Sequence, residues 1–387
     1  MPEQTLDRRI ILGALGGAAG LAAISRLSQA GPLNPPAGPI GPTGRTMQEV
    51  FDKIARSDAG LAEPRTPVQS LPGSATAQYV ISQPGSYYLT QNIQGTAGKS
   101  GIAVDASDVS IDLGGFRLSG STGTRPAIEV VPGRENIAIF SGCIASWQDV
   151  AIEAISAKAV RVAGVTLRAC NSYAGQTSPG DCIRLGERGC VSFCSILDCL
   201  GSNVYILSDG LMENNLNLDG DGSCFFSIFR SIARGNVFRR NNGGAITIQG
   251  EATIIGNYVG VNGGIEAGSN STVLDNVVES ANFTAIRCDG TGSLIANNRV
   301  SCNAGGLKLT NAQSARVEGN QINSGGIGIE VDAGSMHCII IRNTVRAGGA
   351  SYSISPGNSY GPIVNVSGVG DITSVANANH PWANFSY

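Results

Sequence analysis

The sequence has little of what most proton-transfer enzymes use. Its 387 residues include two histidines, His337 and His380. His-rich metal sites and most His-based catalysis are therefore disfavoured readings. Aromatic residues make up 5% and charged residues 14%. A helical bundle would carry far more charge. A disordered chain would hold less than the 42% apolar content and more net charge. The net charge is −3, which gives no footprint for nucleic acid or an anionic membrane. In contrast, 53 residues are Gly, about twice average usage. The length suits one elongated domain or two ordinary ones.

Residues 1–30 read as an export signal. Arg8-Arg9 precede Ile10-Ile11-Leu12 and a small, apolar run to Ile24. That run is too short and Gly-rich for a comfortable membrane span, and a paired Arg before it resembles a twin-arginine signal. Ser28-Gln29-Ala30 supplies small residues at cleavage-type positions. An uncleaved anchor is the alternative. Either way the expected location is periplasmic or extracellular, with no membrane association once the signal is removed. Residues 31–77 read as a Pro/Gly-rich linker containing one short helix. The helix is expected near Met47–Ser57, after the capping-box pattern Thr46-Met47-Gln48-Glu49. The regular domain, 78–387, begins near Gln78.

Past Tyr79 the dominant signal is repetition. Asn-x-apolar recurs at Asn214-Asn215-Leu216, Asn236-Val237-Phe238, Asn257-Tyr258-Val259, Asn276-Val277-Val278, Asn298-Arg299-Val300, Asn320-Gln321-Ile322 and Asn343-Thr344-Val345. The spacings, counted from Asn214, are 22, 21, 19, 22, 22 and 23. Apolar-x-apolar triplets follow eight to ten residues after four of these, such as Ile246-Thr247-Ile248 and Leu307-Lys308-Leu309, the period-2 mark of a strand with one buried face. These units lack the leucines of leucine-rich repeats and leave no room for a helix. They fit an all-β fold, a right-handed parallel β-helix with one coil per ~21 residues, in which stacking supplies the core each coil lacks. The Asn column then reads as structural. Asn tolerates a left-handed turn, and its amide can bond the Asn of the next coil.

Gly85-Ser86-Tyr87-Tyr88-Leu89, Ile111-Asp112-Leu113-Gly114-Gly115-Phe116 and the Asn-anchored coils resemble exported bacterial β-helix proteins of the pectin-lyase-like superfamily. The tail from Gly361 to Phe385 resembles a C-terminal segment of uncharacterised members. The resemblance implies a fold and an exported habitat. It transfers no activity, because the superfamily includes lyases, hydrolases, epimerases, adhesins and structural proteins. Two of its activity signatures are missing: the Arg-x-Pro-x-x-Arg of pectate lyases and the Asn-Thr-Asp, Asp-Asp, His-Gly series of polygalacturonases.

If the apolar residues of each main strand point inward, the residues between them form an outward column. It reads Glu129, Glu153, Arg184, Tyr205, Phe226, Thr247, Glu266, Arg287, Lys308 and Glu330, with spacings of 24, 31, 21, 21, 21, 19, 21, 21 and 22. The 31 marks an insertion, Asn171 to Asp181, expected to wall the face beside Glu153 and Arg184. The resemblance implies that members acting on polysaccharide use such a face. Glu129, Glu153, Arg184 and Tyr205 are therefore the candidate catalytic group. Two stacked carboxylates repel, so one pKa is expected to rise, as glycoside hydrolysis needs. Arg184 suits a uronate carboxylate. For a lyase, Arg184 or Tyr205 would take the proton alpha to it. The competing reading is a solvated outer face. Glu266, Arg287, Lys308 and Glu330 alternate in sign and read as a surface ion-pair ladder.

Asn217-x-Asp219-x-Asp221-Gly222 matches half of a Ca²⁺ loop, but Ile228 stands where an EF-hand needs Glu. No cofactor or metal is assigned, and Ca²⁺ stays open. Ten Cys are many for an exported chain. They read as small apolar residues inside coils, with disulfides in the Cys182–Cys199 region as the sharper alternative. The functional expectation is an exported protein that binds or processes polysaccharide, as a lyase or hydrolase on acidic glycans. The alternative is a non-catalytic envelope or adhesion protein.

Overall fold

A computed structural model describes residues 65–387, apart from 171–179, 200–201, 221–223, 242, 261, 281 and 369. The expected export signal and the helix near Met47–Ser57 lie outside the described residues. The described chain is all-β, a solenoid of short parallel strands with two single-turn 3₁₀ segments, Val68–Ser70 and Ile372–Ser374. No helix among the described residues is long and apolar enough to cross a membrane.

Each coil contributes one strand to a first face and usually two to the wall behind it. The first face is a thirteen-stranded parallel sheet from Ala77–Ile81 to Tyr352–Ile354. The wall is a 26-stranded sheet made of two ladders that meet at a corner. One ladder, the second face, includes Cys190–Ser192 and Leu211–Glu213. The other, the third face, includes Ser195–Leu197 and Leu216–Leu218. Pairing begins earlier than the expected start near Gln78. Thr66–Pro67 already lies parallel to Tyr87 and Tyr88.

Why these residues stack is visible on the first face. In Ile152–Ala154, Ile183–Leu185 and Ile246–Gly250 the first and third residues are buried and the second is not. Inward side chains of successive coils thus sit at the ~4.8 Å strand spacing and form one continuous apolar core. In the early coils the core is bulky. Trp147 is fully buried, and its indole N–H donates to the Arg125 carbonyl. Gly120 is required beside it, because a Cβ there would run into the Ser146 carbonyl.

From Asn215 onward the corner between second and third faces is amide-filled. Asn215, Asn236, Asn257, Asn276, Asn298, Asn320, Asn343 and Asn384 are all buried. Each Oδ1 from Asn236 on accepts from both the backbone N–H and the Nδ2 of the Asn one coil earlier, as in Asn236 to Asn257 at 3.0 Å for both. Each Nδ2 also donates to a backbone carbonyl, as Asn236 does to Met212 at 2.9 Å. The expected ladder is present, with two corrections. Its first rung is Asn215, not Asn214. The left-handed residue is the one before each rung except the last, Asn384: Asn214, Gly235, Gly256, Asp275, Asn297, Gly319 and Arg342 have φ between 53° and 65°. The bend thus precedes the amide, which leaves the Asn free to point inward.

Candidate functional site

The outward column follows the register expected from the sequence. Glu129 pairs with Glu153, Glu153 with Arg184, Arg184 with Tyr205 and Tyr205 with Phe226. The series continues through Thr247, Glu266, Arg287, Lys308 and Glu330. It extends to Ala103 and Val80 before Glu129, and to Ser353 after Glu330. The parallel ladder brings the four residues singled out as catalytic candidates onto four successive strands of one face. The wall expected from Asn171 to Asp181 lies outside the described residues, except for Gly180 and Asp181.

Glu129 is held on one side by Ser100, whose hydroxyl donates to Oε2. Arg125 Nη2 reaches its Oε1 at 2.9 Å. Glu153 Oε2 accepts from Arg184 Nη1 at 3.0 Å, and its Oε1 accepts from the Ile155 backbone N–H at 3.2 Å. Arg184 Nε lies 3.4 Å from Asp181 Oδ2. That contact is within ion-pair reach but is not aligned as a hydrogen bond, and buried Nε has no hydrogen-bond partner. One guanidinium therefore sits between two carboxylates, Glu153 and Asp181.

Burial pushes the Glu153 carboxyl above its ordinary value, against the opposing pull of Arg184 and the Ile155 N–H. Asp149 adds a smaller upward push. The rise was expected from repulsion by Glu129, but burial is its chief cause. Asp181 is also raised by burial, opposed by Arg184 and Ser202. Two carboxyls that hold protons more readily than usual thus flank the same cation.

Beyond Arg184 the column turns aromatic. The Tyr205 and Phe226 rings stack with centroids 5.5 Å apart and planes 12° from parallel. Both are half-buried, so each presents part of its ring outward. Further on, the expected ion-pair ladder is only partial. Lys308 Nζ and Glu330 Oε1 are 3.0 Å apart, but Arg287 pairs with Asp289 of its own strand at 3.1 Å. Glu266 has no ion pair among the described residues. Thr247, Gln249, Glu266, Arg287 and Asp289 line a hollow of about 270 Å³ on this face. Sequence reasoning missed Asp289 and this concavity. The signal available was the acidic residue two places after Arg287, on the same side of the strand.

The half-motif for Ca²⁺ divides. Asn217 points into the core and is fully buried, with neither amide atom hydrogen-bonded. Asp219 sits at the outer corner, where Arg240 Nε and Nη2 reach its two oxygens at 2.6 and 2.7 Å. These two residues do not converge on one point. Asp221 and Gly222 lie outside the described residues.

Residues 249–369 match the family described as Right handed beta helix region. No curated protein matches the sequence significantly. Among solved structures, a double mutant of the periplasmic alginate epimerase AlgG is 13% identical, with a TM-score of 0.52 over 93% of this chain and 98% of that one. The Azotobacter vinelandii mannuronan C-5 epimerase AlgE6 A-module is 14% identical, with a TM-score of 0.45 over 76% and 97%. The catalytic unit of a thermostable alpha-1,3-glucanase from Streptomyces thermodiastaticus is 11% identical, with a TM-score of 0.42 over 77% and 69%. The chain has the fold of a right-handed parallel β-helix.

Proposed function

We propose that the protein binds an acidic polysaccharide lengthwise along the outward column of the thirteen-stranded sheet and processes it at Glu153 and Arg184. The observation that carries this reading is the unbroken series Glu129, Glu153, Arg184, Tyr205, Phe226 on adjacent strands. Four strand spacings of about 4.8 Å give the series a length of roughly 19 Å, enough for several sugar units of an extended polymer. The stacked Tyr205 and Phe226 offer an apolar platform to a sugar face. Arg184 supplies a planar fork for a uronate carboxylate.

In this reading the residues divide the labour. Protonation of Glu153 or Asp181 weakens its hold on Arg184 and frees the guanidinium for a substrate carboxylate. The raised Glu153 then also serves as a proton donor, with Glu129 one strand away. The two carboxyls stand on adjacent paired strands, and retaining chemistry requires them to come to about 5–5.5 Å. In a lyase, Arg184 or Tyr205 removes the proton alpha to the bound carboxylate instead. The fold shared with an alginate epimerase supports the scaffold for such chemistry and nothing finer. Periplasmic or extracellular location belongs to the same proposal, and cell fractionation of the full chain tests it.

The deciding experiment incubates the folded protein with acidic and neutral polysaccharides, with and without Ca²⁺. Unsaturated ends absorbing in the ultraviolet indicate a lyase. New reducing ends alone indicate a hydrolase acting through Glu129 and Glu153. Proton spectra of the recovered polymer register inversion without cleavage. Retention of an acidic polymer without any of these changes reduces the proposal to binding. No retention of any acidic polymer overturns it.

A further inference from the structure

The corner joining the third face to the first holds three cysteines that the column does not use. Cys170, Cys182 and Cys199 are fully buried, and their sulfurs all lie within 4.8 Å of one another. Cys182 Sγ donates to Cys199 Sγ at 3.3 Å. Cys170 and Cys199 occupy equivalent places two residues beyond Arg168 and Leu197, which are paired in register. Cys182 stands immediately before Ile183, at the place held by Ala151 one coil earlier. In the sequence, Cys170 directly precedes the inserted segment and Cys182 directly follows it. The trio therefore lies at the root of the insertion, beside Asp181 and Arg184.

We infer that this corner is a redox site, in which Cys182 and Cys199 form a disulfide while Cys170 remains as an adjacent thiol. Two readings compete for three clustered sulfurs, a crosslink and a soft metal ion. A three-thiolate metal site would bury up to three negative charges. Among the described residues no Lys, Arg or His hydrogen-bonds to or pairs with any of the three sulfurs. Unpaired charge in such a place is costly, whereas a disulfide and a thiol are neutral. Donated hydrogen bonds to Cys170 and Cys199, together with burial, hold the Cys182 thiol above its ordinary range. The same hydrogen bonds pull the Cys170 thiol below its ordinary range, so the neutral thiol is favoured at Cys182, and oxidation there proceeds while the coil is closing rather than in the finished core.

The co-reactant is a small-molecule disulfide. The Cys182 thiolate attacks one of its sulfurs and releases the first thiol. The Cys199 thiolate then attacks Cys182 Sγ and expels the second. Two protein thiols become one disulfide, and the two electrons and two protons end on the two released thiols. The crosslink fastens the start of one coil to its end, and Cys170 stands close enough to replace Cys199 by exchange. A Cys170–Cys182 bond would instead tie the two ends of the insertion together. This inference is independent of the polysaccharide reading.

The test uses the full chain made in an oxidising secretory compartment and in a reducing cytosol. Each sample is denatured, alkylated without reduction, digested and mapped by mass spectrometry. Oxidised material is expected to show a Cys182–Cys199 peptide and two fewer alkylated thiols of the ten. Its unfolding midpoint should lie about 5 °C above that of the reduced protein. Cys199→Ala should move the link to Cys170–Cys182. Cys182→Ala, a residue that Ala151 shows can fit this column, should abolish it. Ten free thiols in folded protein from the oxidising compartment would overturn the inference. So would a link among other cysteines, or one equivalent of metal retained by the reduced protein.

Discussion

The early and late coils solve the same corner differently. Along the junction of the second and third faces the register places Gly142, Val165 and Cys194 in the early coils and Asn215 through Asn384 in the late ones. The early corner lies within single long strands, Glu135–Ala145 and Lys158–Arg168, where Leu113 packs directly against Gly142. The late corner breaks each wall into two short strands and joins the coils by amide hydrogen bonds. The amide corner specifies regular stacking, because each rung fits only the next. The apolar corner imposes no such rule. The insertion, the thiol cluster and the Glu129–Tyr205 candidates all belong to the coils before or at the first rung.

Cys194 marks the boundary between the two. Its backbone N–H donates to Asn215 Oδ1 at 2.8 Å, as a rung would. Its thiol faces the Ser192 and Val162 carbonyls at 3.3 and 3.7 Å, near where a rung would place its Nδ2.

Breaking the apolar core of the early coils should have the largest effect. Trp147→Ala removes the bulkiest buried side chain and is expected to cost about 4 kcal/mol, read from denaturant unfolding. An unchanged midpoint would mean that the early coils do not depend on that packing. Asn257→Ala breaks the amide side. It strands the N–H of Asn236 and one of its two Nδ2 hydrogens, the other staying on the Met212 carbonyl, and is expected to cost about 3 kcal/mol. A loss no larger than that of an exposed Asn→Ala control would reduce the ladder to decoration.

The site itself gives the next prediction. Glu153 and Asp181 have folded-state pKa values above their ordinary ones. A raised carboxyl binds its proton more tightly in the folded state, so its contribution to stability is full at low pH. That contribution is lost as pH rises through the folded value. Glu153→Gln should remove its share of this slope, as measured by unfolding midpoints from pH 4 to 7. If the proposed chemistry is right, it should also lower turnover at least tenfold. A slope identical to that of the unaltered protein would show that Glu153 is not raised. The smallest effect is expected from Cys194→Asn, which extends the ladder by one rung. Its amide can donate to Asn215 and to the Val162 carbonyl, so stability should change by less than about 1 kcal/mol. A large loss would show that the apolar corner excludes amides altogether.

The outward column was readable because it needs only two regularities, a period of two within strands and a repeat of about 21 between them. Both are written in residues such as Ile183-Arg184-Leu185 and Ile246-Thr247-Ile248. The rung at Asn215 was displaced by one because Asn214-Asn215 offers two candidates. Only the backbone shows that Asn214 carries the bend. The partial ion-pair ladder was misjudged for a related reason. Arg287 can turn to Asp289 within its strand, and spacing between coils does not weigh that choice.

The sequence by itself therefore determined the coil, its register and the residues that face outward. Local alternation and repeat length dictate these through burial of one side chain in two. The tertiary structure alone decided the environment of each outward group: Arg184 held between Glu153 and Asp181, Glu153 raised by burial rather than by Glu129, and three cysteines brought together from both ends of an insertion. Desolvation and contact between coils depend on where side chains end in space, and no single strand encodes that.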